Sequence, residues 1–522
     1  MGSAVRSGGV LRSWRDHLAS GAHLEASELL APGTLLLAWS DRWHRAPAAP
    51  LLKDAGASSA LAGVPRRDGS WWSGEEFEGA ARRGAGRLVA AGLQPGDRVL
   101  WSTGSSVVSI ISHVAALRAG LVVVPANTAY TQREIAYIVA EVRPAAAIVD
   151  DPLRGQWASQ ASDRPLVVTG PELDLPDGDP GRLDTAGPDD PALICFTSGT
   201  TGDPKGAVLS HQNLLAATRA VTLAWRWEPG DRLIHCLPVF HAHGLCVGIY
   251  GTLQSGGSAV LLPGFDPEAV ADLASGGDTS LFFGVPTMYH RLAQSDQASE
   301  LGRLRLCVSG SAPLPAVLHR RLEAVTGMSV LERYGMTETL MNASNPYDGE
   351  RRPGTVGFPL PGVEIRLAPD GEIELRGPNV FAGYWERPAA TAETFVESED
   401  GGPPWFRSGD LGSVDDGYLT IRGRSKELII SGGFNVYPTE VEDVVLTHPG
   451  VAEVAVTGTL SEEWGEVVTA WIVADGRAPS ADELSVYTAE RLAAFKRPRI
   501  VHVVDALPRN ALGKVVRSEL GR

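Results

Sequence analysis

Nine residues at 197–205, TSGTTGDPK, followed by Gly206, hold four hydroxyl side chains, two glycines and a lysine. Glycine lets a backbone approach a ligand closely, so successive N–H groups and hydroxyls can reach phosphate oxygens, while a lysine adds a compact positive charge. Thr197, Ser198, Gly199, Thr200, Thr201, Gly202 and Lys205 are therefore candidate phosphate ligands. The pattern G-x-x-x-x-G-K-[ST] is absent, so this is not a Walker A loop. The competing reading is a flexible polar turn. A second chemistry-bearing cluster combines His241 and His243 with Cys236 and Cys246, but C-x4-H-x-H-x2-C is not one of the usual structural zinc spacings.

The elements that must position these groups read as α/β. The apolar run LICF precedes the 197–205 loop as a strand should. From residue 97 onward, β-rich runs (DRVLWST, GLVVVPAN, AAAIVDD) alternate with helix-like stretches at 107–117 and 132–142, the pattern of βαβ units and a parallel sheet. Residues 172–190, rich in Pro, Gly and Asp, read as a junction. Strand-like runs return at RLIHCLPV, SAVLL, TSLFFGV and LRLCVSG. After Gly371, EIELRG, a turn at Asp416-Gly417 and YLTIRGR predict a small β-rich subdomain ending at residue 424. The remainder predicts a helix at PTEVEDVV, strands at VAEVAVTG and VVTAWIVA, a helix over 480–495 and a last strand at RIVHVVD. The expected organisation is a large domain over 1–424 and a small α/β domain over 425–522.

A chain of 522 residues, 43% hydrophobic, has ample material for packed cores. Its net charge of −16 argues against a nucleic-acid binder, whose footprint is a basic face. Anionic substrates would need cationic groups gathered locally against that field. Four cysteines are too few for a disulfide framework at this length and suit a reducing cytoplasm. The N-terminus has no continuous apolar core of a signal peptide, and the best span candidate, 107–126, is interrupted by His113 and Arg118, so no membrane span is expected.

Further segments sharpen the reading, in order along the chain: VFHAHGL, SGSAPL at 309–314, ERYGMTET at 332–339, SGDLG at 408–412, IRGRSKELIISGGFN, and PRNALGK ending at Lys514. Singly, Asp410 could cap a turn, Arg424 could be a strand-edge charge and Lys514 a solvated lysine. Jointly, with the 197–205 loop, they resemble the adenylate-forming superfamily of acyl-CoA synthetases, luciferases and peptide-synthetase adenylation domains. The resemblance is specific from about residue 193 to the end. It implies ATP, Mg2+ and coenzyme A as ligands and a carboxylic acid as substrate, with no obligate protein partner. It also implies roles. Tyr334 stacks on adenine amid Glu332, Arg333 and Gly335; Thr337 touches phosphate; Glu338 holds Mg2+. Gly310 and Ser311 flank the nucleotide, and His241 and Met336 line the acyl pocket. Asp410 binds the ribose hydroxyls and Arg424 assists it. Lys426 is the hinge, Gly432 and Gly433 line the route of the thiol, and Lys514 is the catalytic lysine.

Within that superfamily, ERYGMTETLMN, FGVPTMYHRL and VFHAHGL are similar to malonyl-CoA and methylmalonyl-CoA synthetases, in which the position of Arg291 pairs with the distal carboxylate. Thr287 reads as a helix N-cap, which would place Arg291 near the first turn, where the macrodipole disfavours a cation and an anion would relieve the conflict. SGGFNVYPTEVE resembles general acyl-CoA ligases instead. The alternatives are a ligase for medium-chain, aromatic or other monoacids, or an adenylation enzyme that loads a carrier protein.

Overall fold

The computed structural model describes residues 10–31, 33–55, 70–197, 204–461, 464–510 and 514–521. The helix Val107–Arg118 shows how the first sheet is built. Ser106 caps it by accepting from the Ser109 N–H, and every residue of the helix except Val108 is buried. Its polar interruptions are answered internally: His113 Nε2 lies 2.6 Å from the Tyr250 hydroxyl, and Arg118 pairs with Glu78 at 2.7 Å and Asp184 at 3.0 Å. The apolar run is thus a core helix, and among the described residues no helix is long and apolar enough to cross a membrane. The helix Gln132–Val142 begins where Thr131 and Glu134 form a capping box.

These helices cover a seven-stranded sheet ordered Gly383–Tyr384, Lys205–Ser210, Pro191–Thr197, Val122–Pro125, Arg98–Ser102, Ala146–Val149, Val167–Thr169. The last five pair in parallel, as the alternating pattern predicts, and Lys205–Ser210 folds back antiparallel on Pro191–Thr197. A nine-stranded sheet carries Arg232–His235, Leu281–Gly284, Leu306–Ser309 and Leu331–Tyr334 as parallel neighbours. A shared apolar core packs beneath both sheets, with Trp101, Val123, Leu193, Leu233, Phe283 and Leu331 among its members.

A third sheet joins Glu364–Leu367, Glu372–Arg376, Trp405–Asp415 and Tyr418–Arg424, with the expected turn at Asp416, whose φ is 45°. A fourth sheet joins Phe434–Val436, Ile429–Ser431, Gly465–Ala474, Val451–Ser461 and Ile500–Val503. The helix expected over 480–495 is shorter, Ala481–Ala489. It ends because the Arg497 guanidinium donates to the Ala489 and Leu492 carbonyls, satisfying the chain end that another helical turn would have satisfied.

Candidate active site

Parallel strands deliver the loops between them to one edge of a sheet, where ligands of α/β proteins bind. Val308 pairs with Leu331 and Ser309 with Glu332, so SGSAPL and the segment after Tyr334 leave adjacent strands side by side. Two non-glycine residues there adopt left-handed backbone, Ser311 at φ 70° and Leu340 at φ 56°. Such strain persists only where the surroundings hold it, and it collects at functional sites.

On one side of this edge the expected nucleotide residues meet. The Tyr334 hydroxyl donates to Asp410 Oδ2 at 2.6 Å, and Arg424 Nε reaches Asp410 Oδ1 at 3.0 Å from the directly paired position on the neighbouring strand. Lys514 is drawn into the same cluster: burial, and then the Arg424 charge, hold its ammonium below the ordinary lysine range, opposed by Asp410 and Glu427. Its backbone is fixed by a reciprocal pair of bonds with Asn510 at 3.0 and 2.9 Å. Glu338 is 7% exposed and accepts a 2.9 Å hydrogen bond from the Tyr384 hydroxyl. Burial raises its carboxyl, while the Tyr384 bond and the Arg424 charge act in the opposite sense. Gly335 has no room for a side chain, since a Cβ would lie 1.9 Å from the Leu340 carbonyl oxygen.

On the other side lies a cluster of Arg333, His241 and His243. Arg333 is 4% exposed, and its Nε and Nη2 have no hydrogen-bond acceptor among the described residues. Burial lowers its guanidinium to about 9. Gly310 packs directly on it, for a Cβ there would sit 2.3 Å from the guanidinium carbon. His241 and His243 are its charged-state neighbours: burial first, then Arg333, push His241 down to about 4 and His243 well below its ordinary value. Both imidazoles are therefore neutral near pH 7. His243 Nδ1 lies 3.2 Å from Ser311 Oγ and its Nε2 is buried with no partner among the described residues, so it is not a fully satisfied core histidine there.

Several expectations change. Thr287 is not an N-cap: Val285 is, Pro286 follows, and Arg291 falls in the last turn of Pro286–Leu292, where the macrodipole favours a cation. Arg291 is exposed, with its guanidinium 5.0 Å above the Phe265 ring and beside Pro267, Asp272 and Gln294. Its electrostatic conflict does not exist, and a cation that is buried and unpaired among the described residues is Arg333, expected among the nucleotide residues. Of the phosphate loop, Thr197 and Lys205 are paired across the hairpin, whereas Ser198, Gly199, Thr200, Thr201 and Gly202 lie outside the described residues. Lys426 sits in the short turn Ser425–Glu427 between the third and fourth sheets, and Gly432 and Gly433 form the turn between Ile429–Ser431 and Phe434–Val436. Met336 and Thr337 occupy the loop between Tyr334 and Glu338, half-buried. Among the described residues no cluster of three or more His, Cys, Asp or Glu could hold a metal.

Sequence reading passed over the segment 377–384. There the Asn379 amide donates to the Thr339 and Met341 carbonyls, the Phe381 N–H donates to the Glu338 carbonyl, and Tyr384 holds the Glu338 carboxylate. The one signal available was the run GPNVFAGYW in an otherwise polar stretch.

Comparison with known proteins places this geometry. An AMP-binding enzyme family matches residues 42–385, and the AMP-binding enzyme C-terminal domain matches residues 440–514. A malonate–CoA ligase of Arabidopsis thaliana is 39% identical over 64% of this chain, and the match spans 60% of that enzyme's length. A feruloyl-CoA synthase of an Amycolatopsis species is 37% identical over 88% of this chain and 95% of its own. The ATP-bound structure of MatB from Rhodopseudomonas palustris superposes with a TM-score of 0.84 at 40% identity, covering 93% of this chain and 97% of that one. The α/β sheets, the Tyr334–Asp410–Arg424 cluster and these matches together show that the chain belongs to the AMP-binding enzyme family.

Proposed function

We propose that the protein is an ATP-dependent acid–CoA ligase acting on a small dicarboxylic acid, malonate or methylmalonate. The acid's carboxylate oxygen attacks the α-phosphorus of ATP and pyrophosphate leaves. The thiol of coenzyme A then attacks the acyl carbonyl of the adenylate, AMP leaves, and the thiol proton passes to solvent. The observation that carries the diacid reading is Arg333, a buried guanidinium with two donor nitrogens that meet no acceptor among the described residues. A buried unpaired charge is costly, and a carboxylate matches the guanidinium's planar, two-pronged donors. The neutral imidazoles of His241 and His243 suit the same anion as hydrogen-bond donors.

The remaining residues divide the work. Tyr334 offers a ring to adenine, Asp410 acceptors to the ribose hydroxyls, and Arg424 pairs with Asp410 and faces the phosphates. Lys514, in the same cluster, places a cation where charge develops on the transferred phosphoryl group, an effect of positioning and field. Magnesium takes oxygen ligands, commonly one or two carboxylates with substrate phosphates. Glu338, with one oxygen oriented by Tyr384, fits that donor set, and the ion would neutralise phosphate charge there. Lys205, Thr197 and the loop between them suit the leaving pyrophosphate. Gly432 and Gly433, on the small domain beyond the Lys426 hinge, are assigned to the thiol-transfer step.

The test is an acid panel in ATP–pyrophosphate exchange, repeated with coenzyme A and scored for thioester: malonate, methylmalonate, acetate, propionate and ferulate. Malonate or methylmalonate should lead both series. Preference for ferulate or a monoacid overturns the diacid assignment, and exchange without thioester overturns the ligase assignment.

A further inference from the structure

We propose that Tyr384 is a positioning residue that ties the carboxylate of Glu338 to Lys205 at the far end of the phosphate loop, so that metal and pyrophosphate are held as one unit; this rests on the reading of Glu338 as a magnesium ligand. Three observations converge on the side chain. Its hydroxyl donates to Glu338 Oε1 at 2.9 Å. Its ring lies 5.1 Å from Lys205 Nζ, within reach of a cation–π contact. Its strand, Gly383–Tyr384, pairs antiparallel with Lys205–Ser210, with Tyr384 opposite Ala207, and the adjoining Trp385 N–H donates to the Gly206 carbonyl at 2.8 Å.

The ring is itself held. The Tyr384 N–H donates to Thr391 Oγ1 at 2.9 Å, and Phe381 packs edge-on to the ring at 4.9 Å. Phe381 also donates its N–H to the Glu338 carbonyl, so backbone and side chain of the carboxylate residue are pinned by one short segment. An ionised carboxylate has about four lone-pair directions, and a hydroxyl fixed on one oxygen sets how the others are presented. Magnesium demands near-ideal octahedral geometry, and partners that orient a metal ligand alter affinity by roughly 10–100-fold. The ring contact adds a further link, because Lys205 moves with the strand that Tyr384 flanks.

The test is binding measured without an acid, so that no reaction occurs. Isothermal titration of the full chain with MgATP, and separately with ATP in excess chelator, should show Tyr384→Phe weakening MgATP by about tenfold while leaving metal-free ATP within about twofold. Tyr384→Leu, which also removes the ring, should weaken both. In ATP–pyrophosphate exchange, Tyr384→Phe should raise the Mg2+ concentration needed for half-maximal rate with little loss of kcat at saturating metal. Glu338→Gln supplies the second measure: with the carboxylate neutralised, adding Tyr384→Phe should cost little more, since the two act through one contact. Equal weakening of MgATP and ATP by Tyr384→Phe, no weakening at all, or additive losses in the double variant would overturn the proposal. MgATP affinity unaltered by Glu338→Gln would instead overturn the metal-ligand reading beneath it.

Discussion

Replacing Arg333 by methionine separates a buried substrate cation from a structural one, because stability and activity should move in opposite directions. The side chain keeps most of its length and loses its charge. Lowering the guanidinium from its ordinary range to about 9 corresponds to roughly 4–5 kcal/mol of disfavoured charge at about 1.36 kcal/mol per pKa unit, a ceiling on what its removal returns to the unliganded protein. The sign follows from the direction: the lowered value means the charged form is penalised in the fold throughout the working pH range, so its loss stabilises. Arg333→Met should therefore raise the apparent melting temperature of the free protein by a few degrees. For a bound diacid the change is the reverse. The distal carboxylate would be buried without its partner, at a cost of about 3–5 kcal/mol, and kcat/KM for malonate should fall by roughly two to four orders of magnitude. Acetate and propionate, with no distal charge, should change by less than about tenfold by the same reckoning. Arg291→Ala, which removes an exposed cation resting on Phe265, is the control and should leave malonate turnover nearly unaltered. The assay is steady-state thioester formation with each acid, paired with thermal unfolding with and without malonate. A fall in melting temperature together with equal losses for malonate and propionate would refute the reasoning, since that is what a packing defect produces.

Further outcomes are expected at the same site. Lys514→Ala should abolish adenylate formation while thioester formation from supplied acyl-AMP persists, measured in separate half-reactions; equal loss of both in folded protein would remove Lys514 from its role. Gly433→Leu should show the opposite pattern, exchange retained and thioester lost, because Gly433 sits at φ 80° with open space where a side chain would project. With Arg333 titrating at about 9, kcat/KM for malonate should be sustained below that pH and decline as pH rises through it, while propionate turnover shows no corresponding decline; parallel profiles for the two acids would count against the guanidinium.

Most of the fold, and one half of the site, were legible because they rest on local chemistry. The helix Gln132–Val142 is written in its capping box and apolar spacing. The hairpin strand Tyr418–Arg424 follows from Asp416-Gly417, whose positive φ values a turn requires. Asp410, Arg424, Tyr334 and Lys514 lie in short motifs whose order along the chain survives any folding detail, and tertiary structure gathers them. The helix over 480–495 was overextended because what stops it is the Arg497 guanidinium arriving from beyond its end.

The candidate partner for the acid was decided elsewhere. Spacing put Arg291 on a helix but could not say which face or which turn; a two-residue shift of the N-cap, from Thr287 to Val285 ahead of Pro286, carried it to the exposed C-terminal turn. Arg333 looked like one more residue of a nucleotide motif, and only the parallel pairing of Leu306–Ser309 with Leu331–Tyr334, with glycine at 310 to admit the guanidinium, buries it beside His241 and His243. Tyr384 is likewise invisible in sequence as a partner of Glu338, 46 residues away. By itself the sequence determined the candidate residues for phosphate, ribose and metal, since they lie in contiguous motifs. Only the tertiary structure decided which cation is buried and unpaired, because burial and the absence of an acceptor are properties of the packed neighbourhood and not of any stretch of chain.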